Sequence, residues 1–256
     1  IVFFVLTALS APLISPYNPI EANFQRALAP PSLVHPFGTD HFGRDVLSRV
    51  ISGARTSLLI GVFSVLIGAA GGILLGLVGG YFGGALDNLI MRVVDVLLTF
   101  PRILLAILLI AMVGAGMQNI MLAVGIFSIP IYARLVRSSV LGIKETEFVE
   151  AARAMGNGHR RILFRHIFPG TLGPLVVQST FLMATSIRVA SGLSFLGIGV
   201  SPPTPEWGAM LADARAYIAL APHLITIPGL ALMAVVLSFN LLGDGLRDAL
   251  DPRLKA

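Results

Sequence analysis

Cysteine is absent from the 256 residues, which excludes disulfides and thiolate metal sites but fixes no compartment. Charge is scarce too. Asp, Glu, Lys and Arg make up 12% of the chain, about half the roughly 25% usual in soluble domains. No G-x-x-x-x-G-K-[ST] loop occurs, so nothing here is built to cradle nucleotide phosphates. No serine, histidine and acid set suggests hydrolysis. His35, His41 and His223 are scattered near loops, with no two at the spacing of a metal site. What the chain has in excess is apolar side chains: 55% of residues are hydrophobic and the mean hydropathy is +0.87. A soluble domain with that balance lacks the polar side chains to cover its surface. A membrane protein is the reading that remains.

Apolar stretches long enough to span run about 57–81, 86–113, 119–140 and 172–196, and a fifth, about 223–242, follows a proline-rich stretch. The run Ile1–Ile14 is too short to span and lacks the basic leader of a signal peptide. It is expected to be the outer end of a first span, giving six in an all-α bundle. Pro101, Pro130 and Pro228 fall in or beside spans, where kinks are tolerated if neighbours satisfy the freed carbonyls. Orientation follows from Lys and Arg near the span ends. Lys144, Arg153, Arg160, Arg161 and Arg165 lie between the fourth and fifth spans, with Arg134 and Arg137 just before them. Arg247, Arg253 and Lys255 lie in the tail, so this side is expected to be cytoplasmic. Residues 16–55 and 198–222 then face outward, and the first of these carries Arg26, Arg44, Arg49 and Arg55 against the bias. The same topology accounts for the net charge of +5 without a nucleic-acid partner.

Ser64, Gly68, Gly72, Gly76, Gly80 and Gly84 recur every four residues, a stripe of small side chains along one helix. Such a stripe lets a second backbone approach closely, which is how helices associate in lipid. Asp45 and Arg49, four apart, are expected to pair across one turn. Asp87, Arg92 and Asp95 share a helical face and suit pairing with neighbouring helices better than a gate. Arg188 stands roughly sixteen residues into the fifth span, where an arginine costs on the order of 2–3 kcal/mol and rarely faces lipid. Three roles fit it: lining a substrate path, an internal ion pair, or snorkelling outward.

The longest polar interruption, GIKETEFVEAARAMGNGHRRILFRHIFPG over residues 142–170, is too ordered for a linker. Phe148, Ala151, Ala152 and Met155 lie at helical spacing, with Glu145, Glu147 and Glu150 toward the helix start, where the dipole favours carboxylates. Gly156 and Gly158 supply a break in which positive φ costs little. A second short helix presents Ile162, Leu163, Phe164 and Ile167 among Arg160, Arg161, Arg165 and His166, and Pro169 precedes the fifth span. The pattern is a compact helix–turn–helix with an apolar core and a charged rim. Docking into a protein groove and lying on lipid headgroups both suit it.

Glu150-Ala151-Ala152, three residues, Gly156, nine residues and then His166 to Pro169 resemble the "EAA" loop of ABC importer permeases. The segments HPFGTDHFGRDVLSRVISGARTSLL, GYFGGALDNLIMRVVDVLLTFP, LSFLGIGVSPPTPEWGAML and FNLLGDGLRDALDPRL are similar to successive blocks of the dipeptide/oligopeptide/nickel permease group. His166 and Phe168 depart from the general pattern, which has aliphatic residues there; histidine is common in the peptide branch. The resemblance implies a type I ABC importer transmembrane domain and one permease domain over the whole chain. In it, 1–14 end a first span, 15–56 form an outer loop, 57–140 hold spans two to four, and 142–170 form the coupling loop. Residues 171–242 hold spans five and six around an outer loop at 198–222, and 243–256 form a cytoplasmic tail. It implies that Glu150, Ala151, Ala152, Gly156, Arg160, Arg161, His166 and Pro169 belong to the ATPase-coupling loop, with Arg188 a candidate for the path. It further implies no catalysis and no cofactor on this chain, with ATP and Mg on two separate ATPase subunits. The other partners are a second permease, an extracytoplasmic solute-binding protein, membrane lipid and a peptide substrate, with nickel or glutathione as alternatives. An ion-coupled transporter would need acids near the centre of spans, and none lies there.

Overall fold

The structure, a computed structural model, describes residues 1–250. Arg253 and Lys255, assigned above to the tail, lie outside these residues. Every regular element among the described residues is helical. Helices α2 (Val46–Phe82), α5 (Met117–Ile143) and α10 (His223–Leu250) are each long and apolar enough to cross a membrane, and so is the continuous helix His159–Phe195. α1 (Val2–Ile14) is shorter and packs on α2. Residues 15–45 and the short helix α9 (Trp207–Ala214) sit together at one end of the bundle, the cap.

The expected span 86–113 is instead two helices, α3 (Gly84–Thr99) and α4 (Arg102–Val113), bent by 93°. Pro101 explains the break: it has no N–H to donate, and it forces Phe100 into extended backbone at φ −80°, ψ 134°. Counting this pair as one span gives five, with α1 as a sixth, shorter apolar helix. Pro130 and Pro228, by contrast, lie inside unbroken helices.

The centre of the molecule is the α2–α5 pair, and the small-residue stripe is where they touch. A Cβ at Gly68 would meet the Ser128 Cβ at 2.4 Å, one at Gly72 the Tyr132 Cβ at 2.3 Å, and one at Gly76 the Ala133 carbonyl at 2.6 Å. Gly80 faces Val140, and the Ser64 hydroxyl donates to the Met121 carbonyl at 3.3 Å. Both helices advance together, so they run parallel with backbones nearly in contact. Gly84 does not continue the stripe. α2 has ended by then, and a Cβ at Gly84 would meet nothing within 4 Å.

Two carboxylates of α3 reach across to α5. Asp87 accepts two hydrogen bonds from Arg137, each 2.6 Å, and Asp95 accepts one from Arg134 at 2.6 Å. The expected Asp45–Arg49 pair does not form. Asp45 caps α2, accepting from the Ser48 amide at 2.8 Å and the Ser48 hydroxyl at 2.7 Å, and it also meets His35 Nδ1 at 2.9 Å. A cap residue aims its side chain at the first turn's amides, so it cannot also reach along the helix. Arg49 turns instead to Asp40 at 3.5 Å and to the Pro19 carbonyl. Arg44 meets Asp40 at 2.6 Å and Asp213 at 3.5 Å. Two of the arginines that blur the charge bias are thus neutralised inside the cap.

Candidate functional site

At the end of the bundle opposite the cap, the 142–170 segment forms a knob. α5 stops at Ile143, and the Thr146 hydroxyl donates back to the Ile143 carbonyl. α6 (Glu147–Ala154) then begins with Glu147 and Glu150 in its first turn, where their charge complements the helix dipole. It ends in a Schellman motif: the Asn157 amide donates to the Ala152 carbonyl at 3.2 Å and the Gly156 amide to the Arg153 carbonyl at 3.0 Å. The motif needs its penultimate residue in the left-handed region, and Gly156 has φ +77°. Gly158, at φ −69°, is ordinary backbone that starts α7 (His159–Arg161).

Pro169, placed above just before the fifth span, lies inside a helix that continues through it. α7 passes through a wide π-helical turn, Ile162–Ile167, directly into α8 (Phe168–Phe195). The wide turn accommodates Pro169, which cannot donate to the preceding turn and would crowd its carbonyl in a regular helix. The knob's second arm and the fifth span are therefore one helix.

The knob's interior also differs in rotation from the expected one. Val149, Ile162, Leu163 and Ile167 are buried in one cluster, and Ala152 is buried as well. Phe148, Ala151 and Met155, expected inside, face out with Phe164; Phe148 is 53%, Met155 75% and Phe164 58% exposed. Around this outward apolar face stand Glu150, Arg153, Arg160, Arg161 and Arg165, all exposed, while His166 is half-buried. The knob is an apolar surface with a charged rim, protruding from a membrane bundle.

Three contacts fasten the knob to the end of α2. The Tyr81 hydroxyl and His159 Nδ1 lie 2.8 Å apart, the His159 ring meets Phe82 at 6.0 Å, and Lys144 Nζ donates to the Gly80 carbonyl at 3.2 Å. Sequence reasoning missed these contacts, because nothing in the spacing of Tyr81 and His159 links them.

A second buried polar centre, also missed, lies near the cap. Glu206 is fully buried and caps α9. It accepts from the Gly208 and Ala209 amides at 2.9 Å, from the Ser191 hydroxyl at 2.9 Å and from the Ser57 hydroxyl at 3.3 Å. This one carboxylate ties α2, α8 and α9 together. Its sequence signal was the rare acid beside the only tryptophan, in PPTPEWG. Arg188 is exposed on α8 and has no ion pair among the described residues.

Residues 72–256 match the family described as binding-protein-dependent transport system inner membrane component. A dipeptide transport system permease protein from Alkalihalophilus pseudofirmus is 47% identical over 253 residues, which is 99% of this chain and 83% of the relative. A glutathione transport system permease protein from Escherichia coli O157:H7 is 52% identical over 256 residues, 100% of this chain and 84% of the relative. Among solved structures, an inward-facing form of the MetNI methionine ABC transporter superposes with TM-score 0.65 at 20% identity. It covers 79% of this chain and 96% of that one, a likeness of fold.

Proposed function

Since the chain belongs to the binding-protein-dependent transport inner membrane component family and is a permease subunit of an ABC importer, we propose that its cargo is short peptides and that the knob at 142–170 is its ATPase dock. The carrying observation is the outward apolar face of Phe148, Met155 and Phe164, ringed by charge. A helix lying on headgroups would also turn its apolar face outward, but it would lie along the membrane plane. This face belongs to a knob whose second arm is continuous with a spanning helix, a shape suited to a groove in a protein. In this reading Glu150, Ala151, Gly156, Arg160 and Arg161 meet the ATPase, while Ala152, His166 and Pro169 hold the knob's shape. ATP and Mg bind two separate ATPase subunits. A second permease completes the path, and a solute-binding protein delivers cargo to the cap, which faces outward. Closure of the ATPase pair would shift the knob and switch the path between its two open states. The peptide class is supported by relatives named for dipeptide and glutathione transport, glutathione being itself a small peptide.

The test is co-purification of the ATPase with the parent chain and with Phe148→Asp and Met155→Asp. Both variants should insert and fold but lose the ATPase, since each would place a charge in an apolar groove. Retention of the ATPase by both would overturn the assignment of the dock. Separately, the isolated chain should show no saturable ATP binding.

A further inference from the structure

Arg188 lies on an exposed face of α8 about two turns below its cap end. Pro174, Val177, Phe181, Arg188, Gly192 and Phe195 recur at steps of three, four or seven residues, so they share that face. At the cap end Arg215 stacks its guanidinium 4.5 Å over the Phe195 ring and is itself exposed. Gly192, between the two arginines, has open space before it: a Cβ there would meet nothing within 4 Å. Toward the knob end, Pro174, Val177 and Phe181 line an open groove of about 540 Å³. One helix face thus carries two cations from the mouth inward and continues into a groove.

Among the described residues no carboxylate pairs with Arg188. α2, α4, α5 and α8 contain no Asp or Glu. Asp244 and Asp248 lie in the last two turns of α10, at the knob end. Near the cap, Asp213 is engaged by Arg44, and Glu206 is fully buried among its four donors. A guanidinium at this depth is costly without an anionic partner or water. The described residues supply no such anion, and a carried molecule reaching this face would.

We propose that Arg188, approached past Arg215, binds the carboxylate of the carried peptide as it enters the membrane. The proposal rests on the peptide-importer reading and adds to it a residue that selects by charge. Arginine presents a planar fork of donors that matches a carboxylate's two oxygens, and within a low-dielectric span that pairing is strong. Two guanidiniums along one path repel a free divalent metal ion, so nickel is the wrong cargo for this face.

The chain's lack of cysteine makes the test direct. Arg188→Cys is prepared in the assembled transporter, with the parent complex as control for cysteines on other subunits, and in proteoliposomes with the binding protein. The complex should assemble normally, and uptake of labelled dialanine should fall roughly tenfold or more, the effect of one lost charge-assisted hydrogen bond. A water-soluble thiol reagent that adds an aminoethyl group restores a positive charge and should recover much of the uptake. One that adds a sulfonatoethyl group should not. Failure to assemble would overturn the proposal in favour of an ion pair with the second permease. Absence of labelling, or equal effects of the two reagents, would overturn it as well. If the parent does not carry dialanine at all, the peptide reading falls, and labelling still reports whether position 188 faces a water-filled path.

Discussion

Adding one methyl group at Gly72 or Gly76 should force the two central helices apart. A Cβ at Gly72 would sit 2.3 Å from the Tyr132 Cβ, 2.6 Å from the Ile129 carbonyl oxygen and 2.9 Å from the Ala133 amide nitrogen. At Gly76 the distances are 2.6 Å to the Ala133 oxygen, 2.7 Å to the Val136 Cβ and 3.0 Å to the Arg137 nitrogen. Unstrained contacts lie near 3.5–4.0 Å, so each substitution is short by about 1 Å against atoms of the backbone. No rotamer change relieves that, and α5 must move as a body. Overpacking typically costs 1–3 kcal/mol, and a backbone clash belongs at the upper end, about 3 kcal/mol. For a chain of this size that is a fall in Tm of roughly 6–12 °C. The control is Gly142→Ala, where a Cβ meets nothing within 4 Å. Thermal unfolding of the purified complex in detergent, read by intrinsic fluorescence, is the assay. If Gly72→Ala and Gly76→Ala melt within about 1 °C of Gly142→Ala, the close packing of α2 on α5 is refuted.

The α3–α5 ion pairs should differ in strength. Asp87 is buried and held by two bonds, so a double-mutant cycle with Arg137 should give a coupling of about 1–2 kcal/mol. The Asp95–Arg134 pair, both partners more than half exposed, should give less than about 1 kcal/mol, and equal couplings would contradict the assignment. Gly156→Val should cost about 1 kcal/mol or more locally through its positive φ and weaken ATPase stimulation, whereas Gly158→Ala should be silent in both assays. Glu206→Ala orphans two amides and two hydroxyls in a buried site, so it should lower stability by several kcal/mol and loosen α9 to proteolysis. Unchanged melting of that variant would show that water replaces the carboxylate at no cost.

Much of this architecture was legible because lipid leaves few options. Span positions follow from apolar length, and the glycine register names the face of α2 that packs, though not that α5 is its partner. The long polar interruption located the knob, and of the two glycines read as its turn only Gly156 has positive φ. The failures are equally physical. The Asp45–Arg49 spacing is that of an ion pair, but Asp45 also stands where a helix needs a cap, and the amides of the first turn won. Phe148 and Met155 have the periodicity of a core face and turned outward, since helical spacing defines a face without saying which way it points. Pro101 and Pro169 look alike in sequence. One stands where its span bends by 93° and the other follows a widened turn in an unbroken helix. Glu206 and the Tyr81–His159 contact join residues far apart in the chain, where no local pattern carries a signal.

The 37 residues from His159 to Phe195 make a single rod about 55 Å long. Pivoted near its middle, such a rod converts a tilt of only 5° into opposite displacements of roughly 2–3 Å at its two tips. The tips here are the part of the knob touching α2 and the ring over which Arg215 lies. A push at one surface of the membrane thus arrives at the other along one continuous helix, and side chains along the shaft swing by amounts set by their height on it. The one soft place is the six-residue wide turn near the lower tip, where the backbone hydrogen bonds span five residues. Its compliance sets how much of a small push is absorbed before the shaft begins to turn.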